Sequence, residues 1–152
     1  MRLALFEPDI PQNAGTILRM AACFGVSVDI IEPCGFVFGE RQMRRAGMDY
    51  LEHVALSKHA SWAEFTESRA NQDSRLILLT TQAEDIYSNF RFDSNDILIV
   101  GRESAGAPEY VHEAVDARLR IPMAPEMRSL NVAMSAAVVL GEALRQTSGF
   151  PK

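Results

Sequence analysis

The residues best suited to chemistry lie in loops that follow short apolar runs. Asn13 begins one such segment, which also carries Thr16 and Arg19. Thr16 and Arg19 are three residues apart, so they would share one face of a helix. The planar guanidinium of Arg19 could hold a phosphate or orient a polar substrate through paired hydrogen bonds. Spacing alone favours the ordinary alternative, in which Arg19 is a surface residue paired with a carboxylate.

A second polar loop, Gly101–Pro108, follows the apolar run from Asp96 to Val100. Its two glycines suit a tight backbone path or the close approach of a ligand. Glu103 stands just past the apolar run, where a carboxylate is more often a structural hydrogen-bond acceptor than a general base. The loop is neither a P-loop nor a nucleophile elbow, and the chain has no Gly-x-Gly-x-x-Gly fingerprint. The pattern therefore predicts a ligand crevice and leaves the ligand open.

A third polar loop, Arg128–Asn131, precedes a long segment rich in small residues. Ser129 and Asn131 are both reasonable N-caps for a helix there, because the first helical turn has free backbone N–H groups. The small residues from Ala133 to Gly141 predict a close helix–helix contact, either in the core or across a dimer. Ser135 would belong to that contact rather than to chemistry.

Strand and helix patterns alternate along the chain, and they must position these loops. We expect strands at Arg2–Phe6, Val26–Ile31, Leu51–Leu56, Arg75–Leu79, Ile97–Val100 and Arg118–Ile121. We expect helices from Asn13 or Thr16 to Phe24, over Glu40–Ala46, from the capping box Ser61–Glu64 to Ala70, over Pro108–Val115, and after Asn131. The segment Glu84–Asp93 looks irregular. This alternation predicts one α/β domain over residues 1–152, with an open, mostly parallel sheet, helices on both faces and a ligand at the carboxyl ends of the strands.

Composition places the chain among ordinary soluble globular proteins. Its 152 residues are 47% apolar and 23% charged, which suits one domain with its own core. The net charge of −5 argues against indiscriminate nucleic-acid binding but leaves room for a local basic patch. Arg41, Arg44 and Arg45 lie on one predicted helix and could form that patch, or they could be a solvated helix face. The apolar run Val132–Leu144 is too short to span a bilayer and no signal peptide is evident, so we expect a cytoplasmic protein without a membrane partner.

Cysteine and histidine usage predicts no metal centre. Cys23 and Cys34 form no Cys-x-x-Cys pair, and His53, His59 and His112 lack the spacing of metal ligands. We expect both cysteines to be small packing residues, and the histidines to be solvated or structural.

Three ordered blocks of the chain resemble the SpoU branch of the SPOUT RNA ribose-2′-O-methyltransferases. The first is Pro11–Arg19, the second is Ile97–Pro108, and the third runs from Arg120 to Asn131 and continues into Leu140–Gln146. Their order and spacing are far more specific than any one block, and the resemblance extends over nearly the whole chain. Some positions depart from the usual pattern: Arg102 replaces Pro, Ala107 replaces Leu and Gly141 replaces Tyr.

Further signatures are similar to the short, single-domain TrmL family within that branch. They are Phe6–Pro11, Ile31–Phe36 and Arg44–Tyr50. That family uses S-adenosylmethionine to methylate the ribose of the wobble nucleotide, cytidine 34 or carboxymethylaminomethyluridine 34, in leucine tRNAs. The resemblance therefore implies a tRNA partner recognised at its anticodon stem-loop, and a homodimer. The same chemistry at another tRNA or rRNA position and a non-catalytic RNA-binding module are the alternatives.

The resemblance also implies a C-terminal trefoil knot and a set of site residues. General topology rules disfavour knots, so periodicity alone would not indicate one. By the family pattern, Asn13, Arg19 and Ser129 are catalytic, and Asn13 and Arg19 face the RNA from the same chain or from the partner subunit. The methyl donor would lie against Leu79, Thr80, Gly101, Glu103, Ile121, Met123, Ser129 and Leu130.

Overall fold

The computed structural model of the protein describes residues 1–37, 50, 53–68 and 73–152. Within these ranges seven strands form one sheet, in which every neighbouring pair is parallel. The strands are β1 (Arg2–Phe6), β2 (Ser27–Ile31), β3 (Leu56–His59), β4 (Leu76–Leu79), β5 (Asp85–Ile86), β6 (Ile97–Val100) and β7 (Ala117–Arg120). The α-helices are α1 (Pro11–Phe24), α2 (Trp62–Glu67), α3 (Glu109–Ala114) and α4 (Val132–Thr147). The spatial order of the strands is β3-β2-β1-β6-β4-β7-β5.

The central strands are apolar along their length because helices cover both faces of the sheet. On β1, Leu3 and Leu5 belong to one buried cluster, and Ala4 and Phe6 belong to the other. The apolar residues of α1 and α4 complete the first cluster, whereas Phe65 of α2 packs in the second. The expected parallel α/β sheet with helices on both faces is confirmed.

The start of α1 depends on proline rather than on a polar cap. Its N-cap is Ile10, which makes no side-chain cap hydrogen bond, and Pro11 occupies the first helical position. Proline suits that position because its φ is already helical and it has no N–H to leave unpaired. The prediction that Asn13 or Thr16 caps this helix was therefore wrong. At the other end, Gly25 has a φ of 65° and stops the helix in the left-handed conformation.

The capping box predicted at Ser61 is confirmed. Ser61 Oγ accepts a hydrogen bond from the backbone N–H of Glu64 at 3.2 Å, and Glu64 Oε2 accepts one from the N–H of Ala60 at 2.7 Å. The helix ends at Glu67. Its expected end at Ala70 lies outside the described residues.

Two strand expectations were wrong, both at edges of the sheet. The third strand is Leu56–His59 and not Leu51–Leu56, since it is this later segment that pairs with β2. An edge strand pairs on one side only and tolerates polar residues, so its pattern is a weak signal. The segment Glu84–Asp93 contains β5, which pairs with β7 at the opposite edge. The helix expected over Glu40–Ala46 lies outside the described residues, and so do its three arginines, Arg41, Arg44 and Arg45.

The last helix, α4, packs against α1 and β6, on the face of the sheet that holds the first buried cluster. The trefoil knot implied by the resemblance stays a prediction. In the part of the chain that the structure describes, no helix has the length and apolar character needed to cross a membrane.

Candidate functional site

A cavity of about 510 Å³ opens at the carboxyl edge of the sheet, beside the ends of β4 and β6. Leu79 and Val100 are the last residues of these two strands, so the parallel arrangement places them at the same edge. The loops after β1, β6 and β7 complete the wall. All eight residues that the resemblance assigned to a methyl donor line this cavity: Leu79, Thr80, Gly101, Glu103, Ile121, Met123, Ser129 and Leu130.

The loop after β6 folds back on itself at the cavity wall. Arg102 and Gly106 exchange two backbone hydrogen bonds, at 3.1 and 2.8 Å. A Cβ on Gly101 would lie 2.7 Å from the carbonyl carbon of Gly106 and 2.8 Å from the nitrogen of Ala107, too close for any other residue. Gly106 has a φ of 67°, which also favours glycine. The path of the loop therefore depends on both glycines.

Two carboxyl groups, those of Asp9 and Glu103, join the loop after β1 to the loop after β6. Asp9 Oδ1 accepts a hydrogen bond from the N–H of Glu103 at 3.0 Å, and Glu103 Oε2 accepts one from the N–H of Asp9 at 3.0 Å. Asp9 Oδ2 also accepts hydrogen bonds from the N–H and the hydroxyl of Ser104. These reciprocal contacts fix one wall of the cavity.

The two carboxyl groups titrate in opposite directions. The hydrogen bond from Glu103 lowers the pKa of Asp9 to about 2, and the hydrogen bonds from Ser104 act in the same sense. Burial raises the pKa of Glu103, and the contact with Asp9 raises it further. The pair therefore keeps the negative charge on Asp9, while Glu103 holds its proton to a higher pH than an ordinary glutamate.

Asn131 connects the first turns of α1 and α4 at the rim of the cavity. Its Oδ1 accepts hydrogen bonds from the N–H groups of Ala133 and Met134, at 2.9 and 3.3 Å, so Asn131 and not Ser129 is the N-cap of α4. Its Nδ2 donates to Asn13 Oδ1 at 2.9 Å. Asn13 also acts to lower the pKa of Glu103, so it lies close to that carboxyl group. The two asparagines therefore link the first turns of α1 and α4 beside Glu103.

Arg19 lies outside this cavity, although it was predicted with Asn13 and Ser129 as a catalytic residue. Asn13 and Ser129 both line the cavity. The exposed Arg19 guanidinium lies over the ring of Tyr50, 4.9 Å from its centroid, which is a cation–π contact. Among the described residues no carboxylate forms an ion pair with it. The other interpretation, a surface arginine paired with a carboxylate, therefore finds no such carboxylate among the described residues.

Arg102, which takes the place of a Pro in the family pattern, contacts residues at the end of β1. Its Nη1 lies 3.2 Å from Glu7 Oε2, and its guanidinium lies 5.9 Å from the centroid of the Phe6 ring. Arg102 also lines the cavity wall. Its contacts with Phe6 and Glu7 connect the loop after β6 to the end of β1.

Some residues at the site did not stand out in the sequence. Ser135 of α4 lines the cavity, and its expected role in a helix contact rather than in chemistry stays a prediction. Its position in the first turn of α4, one turn after the N-cap, could have indicated that it lines the cavity. Asp9 directly follows β1 in the same kind of loop as Glu103, but a lone carboxylate in a loop is too common to single out. His112 lines the cavity as well.

Cysteine and histidine expectations are met in part. Cys23 is exposed, so it is not a packing residue. Cys34 is half-buried against the core, and burial raises the pKa of its thiol to about 11. His53 is solvated and His59 is structural, since His59 Nε2 lies 2.8 Å from the buried Asp29 Oδ1.

The sequence of this chain matches the SpoU rRNA Methylase family over residues 1–141. The chain belongs to the SpoU methylase family. This SpoU methylase is 57% identical over 150 residues to a protein of Beijerinckia indica subsp. indica named tRNA (cytidine(34)-2′-O)-methyltransferase, and the match covers 99% of this chain and 94% of the relative. It is 39% identical to a protein of the same name from Escherichia coli (strain K12), covering 99% and 96% of the two chains.

Two solved structures share the fold of this chain. One, described as giving structural insights into the 2-OH methylation of C/U34 on tRNA, has a TM-score of 0.92 at 39% identity and covers 97% of this chain and 96% of that chain. Another is AviRb from Streptomyces viridochromogenes in complex with AdoMet, with a TM-score of 0.85 at 25% identity, covering 96% of this chain and 57% of that chain. The fold of this SpoU methylase is that of the SPOUT methyltransferases.

Proposed function

We infer that the protein is a tRNA 2′-O-methyltransferase that acts on nucleotide 34. The observation that carries this inference is 57% identity to a relative of that activity over nearly the full length of both chains. We extend the proposal to leucine tRNAs with cytidine or carboxymethylaminomethyluridine at the wobble position, and to a reaction in the cytoplasm.

We propose that S-adenosylmethionine binds in the cavity at the carboxyl edge of the sheet. A volume of about 510 Å³ is within the usual range for a small-molecule site. The strand ends supply apolar side chains, including Leu79 and Ile121, while the loops supply polar groups. Gly101 has no side chain, so a ligand can contact its backbone directly. When bound, the cofactor supplies a methyl group already activated by a positively charged sulfur.

The chain must then hold the ribose 2′-hydroxyl in line with the methyl group and let its proton leave. Asn13 and Ser129 face the cavity and would orient the hydroxyl, and Asn131 holds the Asn13 amide in place at 2.9 Å. Arg19 stays protonated, so it would bind the adjacent phosphate and polarise the hydroxyl instead of acting as the base. A phosphate oxygen or a water molecule would accept the proton.

The position of Arg19 supports a homodimer in which one subunit completes the site of the other. Arg19 is exposed and does not line the cavity of its own chain. Four exposed apolar residues lie at or near the cavity: Ile10, Leu130, Met134 and Val138 are 41%, 44%, 58% and 38% exposed. We define these four residues as the rim patch. A second copy seated on the rim patch would bring its own Arg19 to this cavity.

Phosphate contacts to the RNA require a local basic surface on an acidic protein. We propose Arg41, Arg44 and Arg45 for that role, in keeping with their common predicted helix. The net charge of −5 means that the remaining surface repels RNA and leaves recognition to a small region.

The proposed function is tested by nucleoside mass spectrometry. Total tRNA from a strain without the gene is incubated with the protein and S-adenosylmethionine, and the methylated nucleotide is mapped. We expect 2′-O-methylation of nucleotide 34. Arg19→Ala should lower the rate roughly 100-fold, because lost alignment of the reacting groups costs about that much. Arg19→Lys should stay nearly as slow, since lysine lacks the planar fork.

Arg91→Ala is the matched control, because Arg91 is exposed and lies away from the cavity. Its rate should equal that of the wild type. A methyl group at another position would change the substrate and keep the chemistry. Cofactor binding without methylation of any tRNA would contradict the enzyme assignment, and full turnover by Arg19→Lys would contradict the positioning role of Arg19.

A further inference from the structure

His112 is a buried polar residue in the cavity wall that the proposed mechanism does not use. It lies in α3 and is 6% exposed, while its neighbour Val111 is fully buried in the second core cluster. Within residues 1–37, 50, 53–68 and 73–152, no group hydrogen-bonds or ion-pairs with its ring. A buried imidazole without a partner is costly unless something satisfies it.

His112 belongs to the cavity wall, and its ring is not fully sealed in the core. In the described part of the chain, the fully buried side-chain polar atoms that lack a partner are Asp29 Oδ2 and Arg102 Nε. The ring nitrogens of His112 are not among them, although they too lack a partner among the described residues. His112 lines the cavity, so the ring nitrogens that are left accessible can face it.

The surroundings of His112 differ from those of the other polar groups at the site. Asn131 hydrogen-bonds Asn13 across the first turns of α4 and α1, and Asn13 lies close to Glu103. His112 lies on α3, which follows the loop after β6 and leads into β7, and the apolar side chain of Leu119 within β7 also lines the cavity. This side of the cavity suits a flat heteroaromatic ring with apolar faces and polar edges.

We propose that His112 binds the adenine ring of S-adenosylmethionine through a hydrogen bond to one ring nitrogen. The proposal rests on the proposed function, and it adds a side-chain contact to a site otherwise bounded on this side by apolar groups and backbone. A neutral imidazole has one donor and one acceptor, so it can pair with an adenine edge in either sense. A hydrogen bond between neutral groups changes affinity roughly 3- to 10-fold.

The test is calorimetric binding of S-adenosylhomocysteine and its 1-deaza, 3-deaza and 7-deaza forms, each of which replaces one ring nitrogen with CH. For the wild type, one deaza form should bind 3- to 10-fold more weakly than the parent. For His112→Leu, the parent should weaken by the same factor, and that deaza form should lose nothing further. Such non-additivity shows direct contact between the two groups. His112→Gln, which keeps a hydrogen-bonding group, should retain part of the affinity.

His53→Leu is the matched control, because His53 is an exposed histidine that does not line the cavity, and its affinities should equal those of the wild type. Thermal unfolding of each variant verifies that it is folded, and the ¹⁵N shifts of the His112 ring should move on binding in the folded wild type. Equal affinities of wild type and His112→Leu for all four compounds would overturn the proposal. Absence of any binding to the wild type would instead overturn the cofactor assignment, and the role of His112 with it.

Discussion

At the scale of single residues, the most consequential contact is that between Asp9 and Glu103. The two side chains and their backbone N–H groups bond each other reciprocally at 3.0 Å, and Ser104 adds two further donors to Asp9. Asp9 accepts these hydrogen bonds best when its carboxylate is ionised. Glu103 stabilises the contact best when it keeps its proton and can donate a hydrogen bond. The contact therefore depends on pH through both partners.

Glu103→Gln should change the pH dependence of stability. The raised pKa of Glu103 means that the folded state holds a proton above the ordinary glutamate pKa of 4.5, so its contribution to stability is lost as pH rises through the folded pKa. Asp9, lowered from 3.8 to about 2, acts oppositely: its contribution is present above 3.8 and is lost as pH falls toward 2. Glutamine can donate to Asp9 at every pH, so the variant should gain stability relative to the wild type between pH 4.5 and pH 8.

Urea unfolding at pH 4.5, 6 and 8 measures this effect, with Glu113→Gln as the control, since Glu113 is an exposed residue of α3 outside the cavity. A difference between the Glu103 variant and the wild type that stays constant from pH 4.5 to pH 8 would show that Glu103 does not share a proton with Asp9.

At the scale of elements, the loop after β6 shows how a strand end becomes a ligand site. The turn between Gly101 and Gly106 reverses the chain within a few residues and lines the cavity with backbone as well as side chains. It can do so because Gly101 has no Cβ, and a Cβ there would lie 2.7 Å from the opposite strand of the turn. Backbone that approaches a ligand this way is characteristic of glycine loops.

Gly101→Ala should damage both the fold and the cofactor site. Forcing a methyl group into the turn should cost about 1–3 kcal/mol of unfolding free energy, as overpacking does. Displacing the loop by a few tenths of an ångström should weaken S-adenosylhomocysteine binding roughly tenfold, which corresponds to about 1.4 kcal/mol. Urea unfolding and calorimetry measure the two effects.

Gly141→Ala is the control, because Gly141 lies within α4 and a Cβ there meets nothing within 4 Å. It should raise the stability by about 0.5–1 kcal/mol, since alanine is the better helix former. If Gly101→Ala kept the stability and the S-adenosylhomocysteine affinity of the wild type, the loop would have space for a methyl group, and the prediction would be wrong.

At the scale of the whole molecule, the parallel sheet gathers the cavity residues at one edge, and exposed apolar side chains lie beside them. These side chains are those of the rim patch, and Met134 and Val138 lie one turn apart on α4. A second subunit would explain both the exposed rim patch and the position of Arg19 outside the cavity of its own chain, because it would cover the apolar surface and supply its Arg19 to the cavity.

Met134→Glu combined with Val138→Glu should give a monomer. Light scattering should find the wild type at twice the 16.9 kDa of one chain and the variant at that mass, because two carboxylates would have to be buried in the interface. Methylation should fall with the loss of the partner's Arg19, whereas thermal unfolding should show that the variant is folded. Val37→Glu tests a residue that is 69% exposed outside the rim patch and should remain dimeric. A dimeric double variant would place the interface elsewhere.

Several features of this protein follow from the sequence by itself. The strands β1, β2, β4 and β6 are local apolar runs ended by polar loops, and the Ser61 capping box is a contact between residues three apart. Backbone hydrogen bonding and side-chain periodicity act over such short distances, so they can be predicted without the fold. The motifs then gave the eight cavity residues, but only as members of a family pattern.

Tertiary structure alone decided which of these residues meet. β4 lies between β6 and β7, so loops separated by tens of residues surround one cavity, and no local pattern indicates that order. The same holds for the contact of Asp9 with Glu103, which are 94 residues apart, and for the exposure of His112 to the cavity. The edge strand β3 and the proline start of α1 were mispredicted for a related reason, since sheet pairing and backbone geometry there outweigh side-chain pattern. Contacts between distant segments depend on how whole elements pack, and that information is spread over the entire chain.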